Sequence, residues 1–259
     1  MIEIGVCCLP DNFEAVKNAG LDYSEISMAY LHDRSAEELK EIKNKADTLG
    51  LKTPGFNGFF GGGISLYNDP LDKILSYCKK SFEIANAYEA EYCVFGCGWL
   101  RRVPDGADKT ATEKSFTEIL CRIAELAAGY GVDIALEPLC YEETDLINTF
   151  EEGLKVCRSA NIKNLGCLID FYHFFKNGED FSVFDTLKKG EPRHVHLARP
   201  NLDRAAPKEE DREAIKIWAE KLRGAGYDGR ISLECRWGAD FGKELKIAAA
   251  VLNDVFKGA

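Results

Sequence analysis

The chain has 259 residues, of which 46% are hydrophobic and 29% charged, and its formal net charge is −10. This is the composition of a soluble globular protein with enough apolar material for a sizeable core. The acidic balance argues against a nucleic-acid partner, which calls for a basic stripe, and against an anionic membrane surface.

An apolar strand is expected over residues 2–8, then a short helix over 12–19 ended by Gly20, then a second strand over 23–27 with Glu25 inside it. Ser35 and Glu38 form a capping box for the next helix, which Gly50 stops. A third strand over 52–56 leads into the glycine-rich loop 58–63, a long helix over 71–88 and a fourth strand over 92–95. Loop 96–104 carries Trp99, Arg101 and Arg102. The helix over 112–130 places Phe116, Ile119, Leu120, Ile123 and Leu126 on one face. The remaining strands are expected over 133–136, 165–170, 194–198 and 230–235, with helices over 150–159, 209–224 and 243–256.

Strand and helix alternate without a linker or low-complexity tract, so residues 1–259 read as one α/β domain on a parallel sheet. Eight such units fit a closed (β/α)8 TIM barrel; the rival is an open doubly wound sheet. After the first strand Cys7-Cys8-Leu9-Pro10 stands where a dinucleotide-binding fold would carry its glycine fingerprint. Ten cysteines include no CxxC pair and mostly lie in apolar patterns, so free thiols in a reducing compartment are expected. No basic leader or membrane span is visible, and a cytoplasmic location follows as an expectation.

Four strands end in a residue that can hold a metal: Glu137, Asp170, His196 and Glu234. They are spaced 33, 26 and 38 residues apart, near the roughly 31 residues of one strand–helix unit in such a barrel. Carboxyl ends of barrel strands line a single mouth, where active sites are built. Three carboxylates at one point repel unless a cation neutralises them. With one imidazole they form a hard donor set that favours Mn²⁺, Mg²⁺ or Co²⁺, Zn²⁺ also being admissible. The competing reading is that each acid caps a helix or pairs with a surface base.

The segments Leu136-Glu137-Pro138-Leu139, Asp170-Phe171-Tyr172-His173, His194-Val195-His196 and Leu233-Glu234 resemble, in order, the four metal-ligand motifs of the xylose isomerase-like barrel superfamily. These are sugar isomerases and epimerases, ketose 3-epimerases among them, and the likeness extends over essentially the whole chain. The resemblance implies one divalent ion held by Glu137, Asp170, His196 and Glu234. It implies a sugar or sugar-phosphate substrate and a metal-stabilised enediolate, with Glu137 and Glu234 as the acid/base pair on opposite faces.

The same resemblance makes His173 a contact to a substrate hydroxyl and Glu143 a further substrate-binding residue. Cys140 and Tyr141 depart from the Asn-Arg common in related chains. An arginine is commonly found about six residues past the metal histidine; here Leu202 stands there, flanked by Arg199 and Arg204, of which Arg204 is favoured. His194 is read as a residue one layer deeper rather than a ligand. Trp237 and Phe59 are candidate apolar walls, and Arg101 and Arg102 a candidate anion contact. The glycine loop 58–63 reads as a phosphate cradle or, since no Lys-Ser or Lys-Thr follows it, as a mobile cover over the site.

Two other classes use the same parts: a metal-dependent lyase dehydrating an inosose-like cyclic polyol ketone, and a non-catalytic sugar-binding barrel. The superfamily's DNA-repair relatives need several more histidines than the four present here. A homo-oligomer is compatible with the sequence.

Overall fold

In a computed structural model of the chain, which describes residues 2–258, eight parallel strands close edge to edge in sequence order, the last pairing with the first. They are β1 Glu3–Cys7, β2 Tyr23–Ser27, β3 Lys52–Asn57, β4 Tyr92–Phe95, β5 Asp133–Leu136, β6 Leu165–Asp170, β7 His194–Leu197 and β8 Arg230–Leu233. Closure excludes the open doubly wound sheet. Both faces of each strand are covered, which is why most of these segments read as nearly unbroken apolar runs.

The outer layer comprises α1 Phe13–Asn18, α2 Met28–His32, α3 Ala36–Leu49, α4 Leu71–Ala87, α5 Lys109–Ala128, α6 Phe150–Ala160, α7 Phe171–Lys176, α8 Arg212–Gly224 and α9 Phe241–Lys257. The Ser35–Glu38 capping box forms as expected, and Gly50 closes α3 in the left-handed conformation at φ 60°. Thr149 and Glu152 make a second capping box at α6. No helix among the described residues is long and apolar enough to cross a membrane.

One connection differs from the sequence expectation, and another is unusually short. The segment expected as a helix from residue 209 begins as a 3-10 turn, Glu209–Asp211, and becomes α-helical only at Arg212. Asp211 folds back to accept the Lys208 backbone N–H at 2.8 Å, and Arg199 holds Glu210 and Asp211, which fixes the turn. Between β6 and β7, only the short α7 and a 3-10 segment, Phe181–Thr186, replace a full helix. Phe171, Phe174, Phe175 and Phe181 pack there as an aromatic cluster, and Phe171 stacks on Trp218 of α8 at 4.6 Å.

Inside the barrel, side chains alternate along each strand, so residues two apart share the inner face. Tyr92, Val94, Ala135 and Leu168 form an apolar group of their own there, separate from the core between strands and helices. The rings of Tyr23 and Tyr92 need the space beside glycines. A Cβ on Gly5 would lie 2.3 Å from the Tyr23 ring, and one on Gly55 2.2 Å from Tyr92. All ten cysteines are free thiols.

Candidate active site

The inner-face pattern carries on to the strand ends. Ala135 points inward, and so does Glu137 two residues on; Leu168 is followed in the same way by Asp170, His194 by His196, and Ser232 by Glu234. One donor atom from each of Glu137, Asp170, His196 and Glu234 lies within 4.8 Å of the others. His196 Nδ1 stands 3.5 Å from Glu137 Oε1 and 3.3 Å from Glu234 Oε2. Among the described residues, His196 Nδ1 and Glu137 Oε1 have no hydrogen-bond partner although both are buried.

Buried lone pairs facing one another at these distances repel unless a proton or a cation stands between them. The set therefore fits a divalent ion: three carboxylates and one imidazole nitrogen, converging from four neighbouring strands, with two donors unused by the protein itself. The backbone supports the arrangement. Glu137 N–H donates to Phe95 at 3.2 Å, and Arg101 Nη2 donates to the Glu137 carbonyl at 2.9 Å. Gly96 leaves room for the carboxylate: a Cβ there would sit 2.4 Å from Glu137 Oε2 and push it aside.

The electrostatics follow from crowding of like charge in a dry place. Burial, then the nearby Glu234, hold the Glu137 carboxyl above its ordinary range. Burial pushes Asp170 up to about 7, with Arg204 opposing and Glu137 and Glu234 adding to the rise. At Glu234 burial acts upward, but Arg204 and His196 outweigh it and hold the acid well below the usual range. Burial alone would lower His196; its neighbours Cys7, Glu25 and Glu234 hold it above its ordinary value.

Arg204 spans this cluster. Its Nη2 pairs with Glu234 Oε2 and lies 3.4 Å from Asp170 Oδ2, its Nη1 lies 3.5 Å from Glu143 Oε1, and its guanidinium sits 4.9 Å from the Tyr172 ring centre. The loop that delivers it is irregular: Leu202 and Arg204 adopt left-handed φ of 64° and 60°. Backbone bonds from Arg199 N–H to Ala205 and from Arg236 N–H to Arg204 hold that loop shut. The Arg199 guanidinium pairs instead with Glu210 and Asp211.

His173, on α7, accepts the Cys140 backbone N–H on Nδ1 at 3.1 Å. Its Nε2 therefore carries the proton and points to within 3.6 Å of Asp170 Oδ2, free of any other partner among the described residues. Burial and Arg204 push its pKa down to about 3, so the ring is neutral. Cys140 takes part through its backbone, and the Tyr141 side chain is exposed.

Other expected contacts lie elsewhere. Arg101 is wholly buried behind Glu137 and donates to its carbonyl, and Arg102 donates to the Glu142 carbonyl. Phe59 is fully buried against Phe60, Phe82 and Phe95 rather than lining the mouth, and Trp237 packs on Phe241. The glycine loop is tied down by Gly61 N–H donating to the Tyr77 hydroxyl at 2.8 Å.

The profile of the xylose isomerase-like TIM barrel family matches residues 13–254. The chain belongs to this family. Its relatives include the D-psicose 3-epimerase of Ruminiclostridium cellulolyticum, 27% identical over 249 residues, which cover 93% of this chain and 83% of that protein. An inosose isomerase of Bacillus velezensis is 26% identical over 202 residues, covering 73% of this chain and 65% of the relative's length. Among solved structures, D-psicose 3-epimerase with D-tagatose from Clostridium cellulolyticum H10 superposes with a TM-score of 0.80 at 20% identity, covering 99% of both chains. The IOLI protein with a binding zinc atom superposes with a TM-score of 0.78 at 19% identity, again over 99% of both chains.

Proposed function

We propose that the barrel mouth holds one divalent cation on Glu137, Asp170, His196 and Glu234 and acts as a sugar isomerase or epimerase. The observation that carries this reading is the meeting of four donor atoms within 4.8 Å, two of them buried and without a partner. When bound, the ion draws electron density from the substrate's carbonyl and adjacent hydroxyl oxygens and so acidifies the C–H bond beside the carbonyl.

The rest is the work of the chain. Glu137 and Glu234 come from strands that are not neighbours, β5 and β8, and so approach a bound sugar from two directions. One carboxylate takes the proton next to the carbonyl, and the other, as the acid, returns one. His173 Nε2–H donates to a substrate oxygen, and Arg204 with Glu143 holds hydroxyls further along the chain of the sugar. The family membership and the epimerase and inosose isomerase relatives support this reading.

The test is incubation of Mn²⁺-loaded protein with a panel of ketoses and inososes in deuterium oxide, followed by mass spectrometry and NMR. Gain of deuterium beside the carbonyl with a change of stereochemistry or carbonyl position is the expected result. Its loss in Glu137→Gln and Glu234→Gln, by on the order of a hundredfold to ten-thousandfold, ties it to the pair. Loss of water would assign the lyase reading. Binding of a sugar without exchange would leave a non-catalytic barrel.

A further inference from the structure

Glu25, inside β2, is completely buried within the barrel. Its Oε1 accepts the Tyr92 hydroxyl at 2.6 Å, His194 Nε2 at 2.6 Å and the Ser232 hydroxyl, whose oxygen in turn lies 2.7 Å from the Tyr23 hydroxyl. Its Oε2 stands 3.1 Å from His196 Nε2, with the Cys7 thiol at 3.5 Å. These partners come from β1, β4, β7 and β8, so the carboxylate is fixed from all sides of the barrel.

A carboxylate surrounded by donors has no proton of its own to offer. In the contact with His196 the ring must therefore be the donor, through Nε2–H. A neutral imidazole with its proton on Nε2 presents a lone pair on Nδ1, and Nδ1 is the atom that faces Glu137 Oε1 and Glu234 Oε2.

We infer that Glu25 is a positioning residue for the cation site: it fixes the tautomer and ring angle of His196 and so aims the Nδ1 lone pair at the ion. This rests on the function proposed above. It also accounts for a charged group in the driest part of the molecule, where a carboxylate is otherwise hard to explain. The acceptor is shared with Tyr92, His194 and Ser232, so no single side-chain rotation can release the histidine.

Glu25→Gln discriminates sharply. Three donors surround Oε1 and only one heteroatom donor of comparable strength faces Oε2, so the amide oxygen stays with the three and the NH₂ turns toward His196. An NH₂ group can only donate, so Nε2 must become the acceptor and the proton moves to Nδ1. The expected result is a fall of about 10- to 100-fold in Mn²⁺ and Zn²⁺ affinity, with nitrogen NMR of labelled histidine showing the His196 proton on Nδ1 in the variant. Glu179→Gln, whose side chain bonds the Phe150 N–H at the start of α6 and lies outside this network, is the control and should bind either metal about as tightly as the wild type.

Unchanged metal affinity in a folded Glu25→Gln protein overturns the inference. If that variant does not fold, the zinc-loaded wild type decides alone: a His196 Nε2 proton shifted well downfield and protected from exchange by a hydrogen bond supports the inference, and an Nε2 proton that exchanges freely refutes it. A wild type that takes up neither metal removes the functional reading and this inference together. Metal uptake that ignores Glu25 removes only the inference.

Discussion

Arg204 and Glu234 meet in a direct ion pair at the barrel mouth, Nη2 on Oε2, although 30 residues separate them in the chain. The same guanidinium approaches Asp170 and Glu143, so one cation serves three acids. Arg204→Met removes that countercharge while keeping an unbranched side chain. The metal-free variant should lose about 3 kcal/mol of stability, as expected when one partner of a largely buried pair is deleted. Mn²⁺ should then restore more stability than it adds to the wild type, because the acids have no other cation. Thermal melts with and without the metal check this; a variant as stable as the wild type without metal would contradict it.

Gly55→Ala tests how the polar network inside the barrel is held. The added Cβ would lie 2.2 Å from the Tyr92 ring, whose hydroxyl holds Glu25. The ring has to move within a closed barrel, and a cost of about 2 kcal/mol is expected from overpacking of this kind. Denaturant unfolding of the variant measures it. A change near zero would mean that the ring has room the structure does not show.

Glu179 gives the pH dependence a component away from the mouth. Its Oε2 accepts the Phe150 N–H at 2.9 Å at the start of α6, yet burial, aided by Glu152 and Glu151, pushes its carboxyl from 4.5 up to about 7. Between those values the folded chain keeps a proton that the unfolded chain has released, so stability falls as pH rises through the window. Glu179→Gln removes the titration and can still accept from Phe150. It should be more stable than the wild type by about 1 kcal/mol at about pH 8, discounted for partial exposure, with the difference vanishing toward about pH 4. A gap independent of pH would rule out this origin.

Much of the site was legible because barrels repeat. Apolar strands ending in Glu137, Asp170, His196 and Glu234 at near-regular intervals identify both the closed sheet and the meeting point of the four side chains. The choice between Arg199 and Arg204 was weaker, since it turns on left-handed backbone at Leu202 and Arg204 and on pairing with Arg236. Arg101 and Phe59 lie close to the mouth in sequence but pack inward, a difference that loop composition does not encode.

The network around Glu25 went unread, although its signal was present. An acid in the middle of a buried strand needs partners, and Tyr92, His194 and Ser232 are among the few polar residues on inward-facing positions of largely apolar strands. Their convergence on Glu25 depends on the stagger of β4, β7 and β8, none of which pairs with β2, and no local pattern reveals it. The connection between β6 and β7 holds only the short α7 and a 3-10 segment, where the phenylalanines pack on one another and on Trp218.

The proposed chemistry stands on four side chains from β5, β6, β7 and β8 holding one divalent ion. Calorimetric titration of metal-stripped protein with Mn²⁺ tests it most directly, beside the double variant Glu137→Gln with Asp170→Asn. One ion bound per chain, and none by a double variant with an unchanged circular dichroism spectrum, is the predicted result. A wild type that takes up no ion, or a double variant that binds as well as the wild type, would contradict it.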